Sequence, residues 1–258
     1  MAPGTIFDLS AREYDEVRPG YPEELIDDVV RISGIPERGR ILEVGCGTGQ
    51  ATIPFARRGY EMLCLDIGKE LVRLARKNCE PYPRVEIRNV SFEEWEPEEG
   101  SFDLLISATA FHWIPAEMGY PKAARVLKET GYIALFWNMH PTPYTDFFSE
   151  VQRVYRRVVP EWGEPGDGPT TEEKTGEREV TINGSSLFEK AEVREYPWSR
   201  VYTKEQYLKL LDTYSDHRSL EVSRRRELYK GIAAMIDEEY GGSVTRPYLS
   251  VLYIAKRR

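Results

Sequence analysis

Residues 41–49, Ile-Leu-Glu-Val-Gly-Cys-Gly-Thr-Gly, restrict the fold of this chain more than any other stretch. A short apolar entry, Ile41-Leu42, runs into Glu43, Val44, Gly45, Cys46, Gly47, Thr48 and Gly49, and a helical-looking stretch follows from Gln50 to Arg58. The order is strand, glycine turn, helix. Glycine lacks a Cβ and tolerates unusual backbone angles, so such a turn can press its backbone against a ligand. The helix start adds free N–H groups and the positive end of its dipole.

Spacing narrows the ligand. Dinucleotide sites need G-x-G-x-x-G, but read from Gly45 the third position is Gln50. That argues against a nicotinamide-dependent oxidoreductase. An acid, one spacer and G-x-G-x-G stand here instead. A second acid, Asp66, ends the apolar run Met62-Leu63-Cys64-Leu65, which reads as a buried parallel strand. It lies about 20 residues past the turn, where a carboxylate can bond both hydroxyls of a ribose. A carboxylate there can also merely cap the helix expected from Lys69 to Asn78. Together these residues resemble motif I and its partner acid in the class I S-adenosylmethionine-dependent methyltransferases. The resemblance implies that Glu43 lies by the methionine amino group, the 45–49 turn (Gly45, Cys46, Gly47, Gly49) by the amino-acid end, and Asp66 with Ile67 by the ribose.

Charge and cysteine content exclude other classes. A net charge of -8 over 258 residues argues against nucleic acid, whose binding needs a basic face to displace phosphate counterions. Arg224-Arg225-Arg226 reads as a solvated helix face. Cys46, Cys64 and Cys79 form no C-x-x-C pair, and His112, His140 and His217 share no ligand spacing, so no metal site is expected. No stretch approaches the roughly 18 apolar residues of a membrane span, and no signal peptide is evident. The expectation is a cytoplasmic protein without a membrane partner, monomeric or homodimeric.

Strands and helices alternate along the rest. A helix is expected over Pro22–Ile32, with Gly34 past its end, and an outer strand over 85–88. Further strands are expected over 102–106 and 132–137, with a helix near Lys122–Glu129 stopped by Gly131. After the third strand, Ser91-Phe92-Glu93-Glu94-Trp95 occupies the loop that meets the adenine in the resembled family. This places Ser91, the Phe92 backbone and Glu93 at the cofactor, although Phe92 and Trp95 also suit an ordinary core. After the fourth strand comes Ser107-Ala108-Thr109-Ala110-Phe111-His112-Trp113, beyond a strand end where ligands of open α/β sheets sit. Ala108 is small enough to pack on the ligand. His112 is a candidate general base, and a hydrogen bond holding the loop is its simpler use.

The opening, Phe7-x-x-x-Ala11-x-x-Tyr14-Asp15-x-x-Arg18-Pro19-x-Tyr21-Pro22, is similar to that of small-molecule methyltransferases of the trans-aconitate methyltransferase type. That resemblance covers residues 7 to about 138. It implies a segment folded over the cofactor, with Tyr14 and Arg18 touching cofactor or substrate, and a small carboxylic acid as methyl acceptor.

Past His140 the pattern changes. A helix is expected from about 146 to 159, a mobile Gly/Pro/Glu/Thr-rich loop over 161–179, and strands over 193–202 and 246–256. Thr203-x-x-Gln206 is a capping box, opening the first of two helices that fill some 40 residues between those strands. A hairpin needs only a few residues, so 203–240 reads as a helical lid over the substrate, with plain scaffold the alternative. The expected architecture is α/β: a Rossmann-like seven-stranded sheet with helices on both faces, its last strand antiparallel as the family implies. Residues 1–140 would form the S-adenosylmethionine-binding core with its cover segment, and 141–258 the rest of the sheet with the lid. The expected activity is small-molecule methylation, with O-methylation of a carboxylic acid the favoured form. Carbon methylation of a quinone-like ring, a non-catalytic cofactor-binding protein and an oxidoreductase are the alternatives.

Overall fold

The computed structural model describes residues 11–164 and 167–258; Phe7 to Ser10 of the opening motif lie outside them. The strands are β1 (Arg40–Val44), β2 (Glu61–Asp66), β3 (Val85–Asn89), β4 (Phe102–Ala108), β5 (Leu127–Met139), β6 (Glu192–Thr203) and β7 (Ser243–Lys256). They form one sheet in the order β3-β2-β1-β4-β5-β7-β6. Strands β1 to β5 are mutually parallel, whereas β7 runs antiparallel to both β5 and β6. The order reverses at β1, which lies between β2 and β4, so the connections leaving β1 and β4 run to helices on opposite faces of the sheet and a crevice opens at the strand ends.

The helices are α1 (Ala11–Val17), α2 (Glu23–Ser33), α3 (Thr52–Arg57), α4 (Lys69–Asn78), α5 (Ala116–Val126), α6 (Asp146–Glu150), α7 (Gln152–Val158), α8 (Thr171–Gly184), α9 (Lys204–Leu211), α10 (Ser215–Ser219) and α11 (Val222–Glu239). Successive strand residues point to opposite faces, and here both faces are apolar. Ile41, Leu104 and Ala134 meet α2, α3 and α4 on one side through Leu25, Phe55 and Val72. Leu42, Leu105 and Ile133 meet α5 and α8 on the other through Ala123 and Ile182. Each such buried aliphatic side chain contributes about 1.5–3 kcal/mol. A third cluster joins α6, α7, α9 and α11 to the ends of β6 and β7.

Three segments differ from expectation. The supposed loop over 161–179 holds α8, which starts at Thr170 with a full capping box to Glu173 and buries Ile182. The helix expected near 122–129 begins and ends earlier, because Leu127 already pairs with Phe102 as strand. Gly131 therefore lies in β5, where a Cβ would meet the Lys128 carbonyl at 2.9 Å. The helix expected over 146–159 is divided at Val151 into α6 and α7. No helix among the described residues is long and apolar enough to cross a membrane.

Candidate functional site

The turn after β1 holds three glycines in left-handed backbone, Gly45, Gly47 and Gly49. At Gly45 a side chain is barred twice: φ is 76°, and a Cβ would stand 2.3 Å from that of Ala110. The loops after β1 and β4 thus touch through this residue. A Cβ on Gly47 would meet the Tyr14 ring at 3.4 Å, so α1 lies over the turn. The Gly45 and Cys46 amides donate to the Leu65 carbonyl at 2.8 and 3.1 Å. Asp66 then fixes two turns at once, its Oδ2 accepting from the Gly47 amide and its Oδ1 from the Gly68 amide, both at 2.8 Å.

Glu43 is fully buried. Its Oε2 accepts from Thr52 Oγ1 at 2.6 Å and from Cys64 Sγ at 3.5 Å. Its Oε1 has no hydrogen-bond partner among the described residues. Burial pushes its carboxyl up to about 7, Asp66 adds repulsion, and the Thr52 and Cys64 bonds oppose the rise. A buried carboxylate oxygen left unmatched is costly, so this atom is suited to a cationic ligand group.

Two adjoining cavities, of ≈ 290 and ≈ 280 Å³, share Tyr14, Gly45, Ala108 and Thr109 and make one cleft. The first is lined by Gly47, Asp66, Ile67, Ser91, Phe92 and Glu93 among others. Ile67 is half exposed there although apolar, at 51%. Only the loop position of Phe92 serves the cleft, since its ring is buried against Trp95 and Phe111. The second cavity is lined by Arg18, Tyr21, Glu43, Cys46, Tyr214, Arg246 and Tyr248 among others. The structure therefore brings twelve of the residues nominated from sequence to one cleft, and leaves two outside.

Gly49 is one of those two. Its amide closes the turn onto the Cys46 carbonyl at 2.9 Å, and its α-carbon faces Cys79. His112 is the other. It lies in a short 3-10 turn, Phe111–Trp113, and lines a separate pocket with Tyr120, Trp137 and Arg178. Its Nδ1 accepts from Trp137 Nε1 at 3.2 Å. Burial, with Arg178 nearby, holds its pKa below the usual histidine value. The candidate base is thus an acceptor that fastens its loop to β5 and does not face the cleft.

Three features were missed from sequence. Thr109, just past the end of β4, has φ at 56°, strain of about 1–3 kcal/mol that such sites often carry; its Oγ1 shares a 2.8 Å hydrogen bond with Tyr21 Oη. Tyr214 and Arg246 reach the same cavity from the C-terminal part. Arg246 stands near the start of β7, ahead of the apolar run 251–255, and its strand carries no local signal of the cavity. Among the described residues no three metal-ligating side chains gather.

An α/β sheet of this order, with a glycine turn and two acids at its switch point, defines a Rossmann-like enzyme of the methyltransferase type. Residues 41–131 match the family described as methyltransferase domain. A methyltransferase-like protein of Schizosaccharomyces pombe is 29% identical over 81% of this chain and 77% of its own length. A probable S-adenosylmethionine-dependent methyltransferase of Saccharomyces cerevisiae is 24% identical over 82% of this chain and 80% of its own. The fold matches that of an Anaeromyxobacter dehalogenans protein assigned as a type II methyltransferase, with a TM-score of 0.62 at 23% identity, covering 93% of this chain and 96% of that one. The protein is a class I S-adenosylmethionine-dependent methyltransferase.

Proposed function

We propose that the chain methylates a small carboxylic acid on oxygen. The cofactor, when bound, supplies an electrophilic sulfonium methyl group. The residues present fit it: the unmatched Glu43 Oε1 suits its ammonium group, and Gly45 and Gly47 let backbone approach it closely. Asp66 remains at the cleft wall, oriented by two amides to accept from ribose hydroxyls. In this reading Ile67 and the 91–93 loop border the adenine, and Tyr14 lies over the turn.

The observation that carries the acceptor reading is the make-up of the second cavity. It holds two arginines, Arg18 and Arg246, and no histidine or lysine lines either cavity among the described residues. A carboxylate has a pKa near 4 and is already nucleophilic at neutral pH, so its methylation needs alignment and water exclusion but no base. A phenol, with a pKa near 10, needs its proton removed, and His112 is not placed to do so. Residues 203–240 act in this reading as a lid. Arg18 supports that role, donating from Nε to Thr213 Oγ1 at 2.9 Å and from Nη2 to the Thr213 carbonyl at 2.8 Å, which fastens the N-terminal cover to the helical segment.

The test is turnover against pH with a panel of small acids and phenols. With cofactor saturating at every pH, turnover on an acid should stay flat between about pH 6 and 8, and His112→Asn should keep most of it. Activity on phenols alone, falling with an apparent pKa near 6.5 and lost in His112→Asn, would overturn the reading.

A further inference from the structure

We propose that Arg246 anchors an anionic group of the methyl acceptor. The inference rests on the reading above only in taking the acceptor to be a small molecule that enters the cavity beside Glu43. Arg246 lines that cavity. Its Nε is buried without a hydrogen-bond partner, and among the described residues no Asp or Glu pairs with it. Its guanidinium lies over the rings of Phe148 and Tyr248, 5.3 and 5.1 Å from their centroids.

Two neighbouring arginines show what a satisfied guanidinium looks like here. Arg200 stands directly opposite Arg246 across β6 and β7, an arrangement of like charges that destabilises a sheet. Arg200 is settled by the Val17 and Arg18 carbonyls, at 3.3 and 3.2 Å, and by the Tyr202 ring. Arg18 is settled by Thr213 and lies between the rings of Tyr14 and Tyr214. Only Arg246 of the three has neither carbonyl nor carboxylate, holding its charge against rings and the Tyr207 hydroxyl. Arginine does not shed its proton, and an unpaired charge under cover costs free energy. A carboxylate entering the cavity would relieve that cost with a paired, two-pronged contact.

The ligand is assigned to the acceptor and not to the cofactor's own carboxylate because of the company Arg246 keeps. Tyr214 and Tyr248 come from the lid segment and β7, whereas the glycine turn, Glu43 and Asp66 come from β1 and β2. The sequence resemblance put Arg18 in contact with cofactor or substrate. The structure spends Arg18 on the lid and leaves Arg246 for the ligand.

The experiment titrates S-adenosylhomocysteine-loaded protein with short mono-, di- and tricarboxylates and with their amides, by calorimetry, for wild type, Arg246→Met and Arg246→Lys. At least one acid should bind wild type while its amide does not. Arg246→Met should weaken that acid by about tenfold or more, Arg246→Lys by less, and neither should change S-adenosylhomocysteine affinity by more than about twofold. Melting of the ligand-free variants checks folding. If Arg246→Met does not fold, Arg246→Lys decides, since it keeps charge and stem but loses the fork. Equal acid binding by wild type and the variants, or no acid bound at all, overturns the proposal. So does lost S-adenosylhomocysteine affinity in folded Arg246→Lys, which would give the residue to the cofactor. Mass spectrometry of the products separates this from the carboxylate reading. Ester made equally by wild type and Arg246→Met sinks the anchor alone, and an acid held by Arg246 but methylated at another atom sinks the ester reading alone.

Discussion

The two halves of the cleft are built by different means. The half lined by Gly47, Asp66 and Ile67 is made by backbone: one turn after β1, one after β2, and a carboxylate that fastens them together. The half beyond Glu43 is made by side chains, and they come from four distant parts of the chain: Arg18 and Tyr21, Glu43, Tyr214, and Arg246 with Tyr248. A backbone-built half holds the invariant part of a reaction, and a side-chain-built half can be altered one residue at a time. Cofactor binding and acceptor choice should therefore respond to different substitutions.

The largest effect is expected where the backbone itself is challenged. Gly45→Ala adds a Cβ 2.3 Å from that of Ala110 at a φ of 76°. It should destabilise the fold by about 2–5 kcal/mol, through strain and overpacking together, as read by urea unfolding. Asp66→Ala should weaken S-adenosylhomocysteine binding by about 1.5–3 kcal/mol, as charge-assisted bonds are lost, while leaving acid binding at Arg246 little changed. A comparable loss on both sides would break the separation between the halves.

A smaller effect is tied to pH. Glu43 is raised to about 7 by burial, so the folded chain binds a proton that the unfolded chain releases near 4.5. Stability of the ligand-free protein should thus fall as pH rises from about 4.5 to 7. An ammonium ligand needs the ionised form. Cofactor affinity should drop by about tenfold per pH unit below 7, with close to one proton released on binding near pH 6. Glu43→Gln should abolish that release, which calorimetry in buffers of different ionisation enthalpy reads directly. The smallest effect concerns the contact between α1 and the 203–240 segment: Thr213→Val removes one acceptor of Arg18 and should cost about 0.5–1.5 kcal/mol, seen in acceptor KM and not in cofactor affinity.

Legibility in the sequence follows the same division. The glycine turn was readable because its demands are local: Gly45 and Gly47 must be glycine where they stand, and Glu43 and Asp66 stand one residue before the end and at the end of strands whose apolar runs are plain. Arg246 was not, since its cavity is assembled from residues more than 200 positions apart and nothing in its own strand reveals whether a carboxylate waits opposite. His112 failed for a related reason. Proximity to the end of β4 in sequence suggested the cleft, but the Phe111–Trp113 turn directs the ring to Trp137. The helix α8 was hidden by its Gly/Pro-rich approach, although the capping box at Thr170 and Glu173 was there to be read.

The account's central claim is a methyl group passed to a carboxylate oxygen without a base. It is tested most directly by supplying S-adenosylmethionine labelled in its methyl group together with the acid that the Arg246 titration selects, then treating the product with mild alkali. The account predicts that the label leaves as methanol, because an ester saponifies. Label that stays on the product through alkali, as on an ether, amine or carbon, would contradict it.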